Sequence, residues 1–331
     1  MTNRAAQSQT TTSHTRPKAS DLAAAARPDR NRAVDAYRAL AMLAVALGHW
    51  AAVAISLDSD GNIVGGNALE AAPSMAWITW LFQVMPLFFV VGGFASAMSL
   101  DSHNTRGSGD PAEWIAVRLR RMVAPAVALA TTWLVLMTVG AISGQMALAS
   151  AALVGAAIPL WFLANYTIDT AIAPYLLPHF RRNPVRVGAI MVATFLSLEV
   201  ARLAEVPLLP QLNWVLGWLM FQTLGFAWRD GLLPTGRTLA AVAATSWLAA
   251  VSAVALGPWP VSMVHFPGLA NSPTHPPSLA LLLFGFAYST TAIWAAPAVT
   301  RFLSSKGAGQ RAWTGVVVGN SMAMSVYLWH M

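Results

Sequence analysis

The segment 32–50, RAVDAYRALAMLAVALGHW, sets an aspartate, an arginine and a histidine inside or at the edge of an apolar run. Ionisable groups are costly in such a place and mark sites of function. Arg38 and His49 are eleven residues apart, which on an α-helix is about three turns plus 20°, so they share a face. Asp35 falls within about 40° of His49 on the same wheel, and the rise from Arg38 to His49 is about 16 Å. The three side chains are expected to form a polar stripe facing protein or water. A neutral imidazole on that stripe can act as general base or as a transient nucleophile. A guanidinium at its entrance can meet an anion, or it can simply snorkel to the interface.

A second basic group, Arg118, Arg120 and Arg121 in RLRRMVAP, is either a membrane-edge anchor or a phosphate clamp, because guanidinium forks bind phosphate oxygens in pairs. His330 in SVYLWHM reads as part of an interfacial aromatic belt with Tyr327 and Trp329. His265 and His275 lie in the Pro-rich segment HFPGLANSPTHPP and read as solvated loop histidines. Without nearby carboxylates they make no metal site, and no other metal site is expected. Asp169 and Glu199 are candidates for orienting a histidine or an acceptor hydroxyl, or for a purely structural role.

The elements that must position these groups follow from composition. Of 331 residues, 56% are apolar and only 10% charged, against roughly 25% charged in soluble domains. Apolar runs near twenty residues recur, each long enough to cross about 30 Å of hydrocarbon as a helix. They do not alternate as barrel strands would. The fold class expected is an all-α polytopic bundle of about nine spans, near 33–57, 74–100, 117–141, 159–178, 185–204, 212–229, 237–257, 277–297 and 314–331. The apolar stretch 146–158 either lengthens the fourth span or lies at the interface. Residues 1–32, rich in Thr, Ser, Ala and Arg, are expected to form a disordered tail, and 33–331 a single transmembrane domain. The chain stops at Met331 inside an apolar run, and the sequence reads as truncated at that end.

The absence of cysteine removes thiolate chemistry. The net charge of +7 does not point to nucleic acid, because the basic residues sit in short loops between apolar runs. With the tail in the cytoplasm, all of the 20 Lys and Arg residues except Arg202 face inward, whereas segments 58–73 and 257–277 carry none and face outward. A multi-pass protein of the inner (plasma) membrane is expected.

Several segments in order resemble the membrane acyltransferase-3 family, over nearly the whole chain after the tail. They are DAYR at 35–38 with His49, which matches the family's Arg, ten residues, His pattern; PLFFVVGGF at 86–94; RLRR at 118–121 with Pro125; LWFL at 160–163; NSPTHPP at 271–277; and VYLWH at 326–330. Two departures stand out. Gly92 occupies a place where the family usually has Ser, so that hydroxyl is missing, and the family has ten or more spans. The resemblance implies an acyltransferase, of the kind transferring groups other than aminoacyl groups. It would move an acyl group, often acetyl, from cytoplasmic acyl-CoA to a hydroxyl or amine of a glycan, lipid-linked or cell-envelope acceptor. Arg118, Arg120 and Arg121 would then bind the CoA phosphates, and Arg38, His49 and Asp35 would serve the reaction, with no permanently bound cofactor. A transporter or flippase of an envelope precursor, using the same stripe as a proton path, is the alternative, although no inverted repeat is visible.

Overall fold

A computed structural model describes residues 30–331 apart from 58–62, 108, 159 and 270. Of the tail expected over 1–32, all but Arg30, Asn31 and Arg32 lies outside the described residues, as does part of segment 58–73. Helix α1 (Arg32–Ala52) begins where the Asn31 side chain accepts the Val34 N–H, an N-cap that supplies one missing partner of the first turn. The strands β1 (Val53–Leu57) and β2 (Ile63–Asn67) form an antiparallel hairpin. Short helices α2 (Ala68–Ala71) and α3 (Thr79–Phe82) flank a 3-10 turn at Pro73–Ile78. Then come α4 (Met85–Arg106), α5 (Pro111–Ile142), α6 (Met146–Ala157), α7 (Leu160–Arg182), α8 (Pro184–Leu203), α9 (Asn213–Arg229), α10 (Gly236–Leu256), α11 (Leu279–Ser304) and α12 (Ala308–Trp329).

Nine of these helices have 17 residues or more among the described residues. They correspond in order to the nine expected spans, and the all-α class holds. Six helices are long and apolar enough to cross a membrane by length and composition. The others, α1, α9 and α12, are shorter or carry more polar residues.

Local chemistry explains where the observed boundaries depart from the expected ones. The first span was expected to reach residue 57, but the helix ends at Ala52. Val53 turns extended there and opens the hairpin, its N–H still bonded to the His49 carbonyl. The second span is broken before Met85, because Pro86 has no N–H to continue a helix from α3. Gln83 bridges the break, its amide donating to the Met263 carbonyl at 2.7 Å and its oxygen accepting the Met85 N–H at 3.3 Å. The stretch near 146–158 is a separate 12-residue helix, α6, packed on α5.

In lipid no hydrophobic force drives helices together, so close backbone approach matters more than greasy side chains. The α4–α9 crossing is built on this rule. A Cβ on Gly93 would overlap the Gln222 carbonyl, and one on Gly225 would overlap the Val90 carbonyl. Around this crossing Phe89 stacks on Trp218 at 4.9 Å, and Phe221 and Phe284 are fully buried. Large apolar residues such as Leu134, Ile142, Val185 and Val200 are exposed on α5 and α8, as lipid-facing surfaces are.

Polar contacts show which helix ends lie together. At one end, rich in basic residues, the Arg181 guanidinium donates to both Asp101 and Asp230 at 2.7 Å, tying the last turns of α4, α7 and α9. At the same kind of end, Arg32 donates to the Leu303 carbonyl and lies over the Trp313 ring, joining the starts of α1 and α12 to the end of α11. At the opposite end, Trp80 donates to the Val261 carbonyl and Glu199 anchors the loop between α10 and α11.

Candidate functional site

Helices α1 and α12 run side by side, and their last turns bring two histidines together. The His49 Nδ1 and His330 Nε2 atoms are 2.7 Å apart, with 4.9 Å between ring centroids and only 13° between ring planes. His330 is 7% exposed and His49 is half-buried. The His330 Nδ1 atom faces the carbonyls of Tyr327 at 2.9 Å and Val326 at 3.1 Å. The Trp50 indole donates to the His330 carbonyl at 2.5 Å, so the chain around the pair is fixed from both helices. His330, read from sequence as a belt residue, is thus the direct partner of His49. The available signal was a second histidine within an apolar run.

Toward the other end, Arg38 of α1 and Arg118 of α5 lie at similar depth, about 9 and 10 Å along their helices from starts at Arg32 and Pro111. Arg118 is close enough to Arg38, Arg121 and the Tyr166 phenol for their charges to act on it. Its guanidinium lies over the Trp114 ring, 4.4 Å from the centroid, and donates to the Ala95 carbonyl at 3.4 Å. Among the described residues, no carboxylate forms an ion pair with Arg38, Arg118 or Arg121, whereas Arg30, Arg202 and Arg229 each have one and Arg181 has two. Like charges brought this close together repel cations and attract anions. Arg120 does not belong to this group, because two residues of helix turn it about 200° away from Arg118.

Between the arginines and the histidine pair runs a ladder of rings. Tyr166 meets Phe162 at 5.4 Å, Phe162 meets Tyr327 at 5.4 Å, and Tyr327 meets His330 at 6.5 Å. On α1 itself, Met42 and Val45 occupy the face between Arg38 and His49. The interval is therefore lined by apolar and aromatic groups, and the stripe is polar only at its two ends. Tyr166 also accounts for Gly92. A Cβ at that position would lie 2.6 Å from Tyr166 Cε2 and 3.0 Å from its hydroxyl oxygen. The tyrosine brings its own hydroxyl to the place where a serine would carry one.

Asp35 is not part of the histidine cluster. Its carboxylate is held by Arg30 at 2.7 and 3.0 Å, at the opposite end of α1 and about 21 Å of helix rise from His49. Glu199 is structural: it accepts from Arg202 at 2.7 Å, from the Trp259 indole at 3.0 Å and from the Leu279 N–H at 3.1 Å. Asp169 is fully buried on α7, and its carboxyl oxygens have no hydrogen-bond partner among the described residues. His265 and His275 pair in the loop between α10 and α11, 4.7 Å between centroids, with the Thr274 hydroxyl 2.7 Å from His275 Nδ1. Partial desolvation of the His275 ring, and then the neighbouring His265, hold its pKa down at about 4. No group of three or more His, Asp or Glu side chains suited to a metal occurs among the described residues.

A bundle of long apolar helices, with two histidines paired at one end and a cationic group toward the other, defines a multi-pass membrane protein. The acyltransferase-3 family model, described as an acyltransferase domain, matches residues 31–331, and the chain belongs to that family. It is a membrane acyltransferase. No curated protein and no solved structure matches the chain.

Proposed function

We propose that the protein transfers an acyl group, acetyl in the first instance, from cytoplasmic acyl-CoA to a hydroxyl or amine of a glycan or lipid-linked acceptor of the cell envelope. In this reading 33–331 is the transferase domain of a protein of the inner membrane, and the residues before it are a cytoplasmic tail. The observation that carries the proposal is the separation of two unlike groups along α1, one shared with α5 and the other with α12. Arg38, Arg118 and Arg121, which form no ion pair among the described residues, lie near the basic end, and the histidine pair lies about 16 Å from Arg38 along α1. CoA is a polyanion on a long thin arm. Arg118, Arg121 and Arg38 suit its phosphates, and the apolar, ring-lined interval suits the arm and brings the thioester toward His49.

At that point the acceptor oxygen attacks the thioester carbonyl while His49 takes its proton, or His49 carries the acyl group between the two substrates. In either case the carbon–sulfur bond breaks and the CoA thiolate leaves with a proton. The test is transfer of labelled acetyl from acetyl-CoA to envelope glycan by the purified protein in lipid. His49→Ala is expected to lower the rate by about 10²- to 10⁴-fold. Undiminished transfer by that variant would remove His49 from the reaction.

A further inference from the structure

We infer that His330 is a positioning residue which fixes the protonation pattern of His49, so that the reactive nitrogen of His49 is Nε2. The inference rests on the acyltransferase reading for its consequence, but its geometry is independent of it. His330 Nδ1 faces two backbone carbonyls, Tyr327 at 2.9 Å and Val326 at 3.1 Å. Carbonyl oxygens only accept, so a neutral His330 keeps its proton on Nδ1 and presents a bare lone pair at Nε2. That lone pair is 2.7 Å from His49 Nδ1, which must therefore donate. His49 is left with a proton on Nδ1 and an unprotonated Nε2 at the far side of its ring.

Burial makes this arrangement binding rather than incidental, because His330 is 7% exposed and water does not readily replace it as acceptor. The Trp50 indole on the His330 carbonyl and the nearly coplanar set of the two rings, 13° between planes, hold the pair in place. The choice of imidazole as orienting group also suits the surroundings. A carboxylate would do the same service but would add a fixed charge within an apolar region, where charges are costly. During transfer, the acceptor O–H proton moves to His49 Nε2, the acceptor oxygen bonds to the thioester carbon, and the carbon–sulfur bond breaks. The departing thiolate then takes the proton from Nε2. Throughout, His49 Nδ1–H stays donated to His330.

The experiment uses the protein in lipid nanodiscs with labelled histidine. Nitrogen and carbon NMR shifts report which ring nitrogen of His49 is protonated, and its signals are assigned by their loss in His49→Ala. The expected result is protonation at Nδ1 in the wild type and a shift of population toward Nε2 in His330→Ala. That variant is expected to lose about 10- to 100-fold in kcat, with KM for acetyl-CoA retained. His330→Gln, whose amide oxygen can accept where Nε2 did, is expected to restore most of both. Wild-type His49 protonated at Nε2 overturns the proposal even if a variant fails to fold. So does full kcat in His330→Ala, or a folded His330→Gln as impaired as the alanine variant. Full transfer by His49→Ala would instead defeat the role of His49 in the reaction and leave the protonation assignment standing.

Discussion

The basic group separates into members that should bind CoA and one that should not. Arg118 is half-buried, braced by the Trp114 ring at 4.4 Å and by the Ala95 carbonyl, so little side-chain freedom remains to be lost when a phosphate arrives. A hydrogen bond to a charged partner contributes about 1.5–3 kcal/mol, which corresponds to about 10- to 150-fold in Kd. Arg118→Ala is expected to weaken CoA binding by that factor. Arg121 shares its face but is exposed, where ion pairs contribute about 0.2–1 kcal/mol, so Arg121→Ala should cost no more than about fivefold. Arg120 points to another side of α5, and Arg120→Ala should change binding by less than about twofold. The assay is equilibrium binding of labelled CoA to the protein in nanodiscs at low and moderate salt, with Arg121 showing the larger relative salt sensitivity. Equal losses from Arg118→Ala and Arg120→Ala would refute the reasoning, since generic surface charge would then explain the attraction.

Two further outcomes follow from the packing and the loop. Gly92→Ser forces a Cβ against Tyr166 and should destabilise the protein by about 1–3 kcal/mol. Adding Tyr166→Leu should recover much of that loss, which a double-mutant cycle in thermal denaturation would measure. The folded-state pKa of His275, about 4, lies below its ordinary 6.5. The unfolded chain therefore takes up the proton first, and stability is lost as pH falls from about 6.5 toward 4. Hydrogen exchange of the loop between α10 and α11 should quicken over that window, and His275→Phe should flatten the response.

Much of the architecture was legible because bilayer thickness imposes a length on every apolar run. That Arg38 and His49 share one face was legible because helical spacing is local arithmetic, but the polar stripe expected between them is interrupted by Met42 and Val45. His330 as partner was not legible, because it requires knowing that α1 and α12 are neighbours, and in a lone segment VYLWH looks like any interfacial belt. Asp35 misled for a related reason. The wheel placed it near His49 in angle, but its nearest charge is Arg30, just outside the helix, and the axial distance decides the pairing. The hairpin was hidden because Val53–Leu57 continues the hydropathy of α1 without interruption. Gly92 looked like a loss until Tyr166, from a different span, was seen to fill the space.

The two imidazoles that meet at 2.7 Å are separated by 281 positions along the chain. A ribosome delivers α1 to the bilayer long before α12, so the arginines and the Phe162–Tyr166 contact can exist for some time before Tyr327 and His330 arrive to complete the ladder and the histidine pair. Until α12 docks, His49 Nδ1 lacks its His330 partner. The pair therefore forms only when two segments far apart in the chain have come together, and contacts of such sequence separation are slow to form.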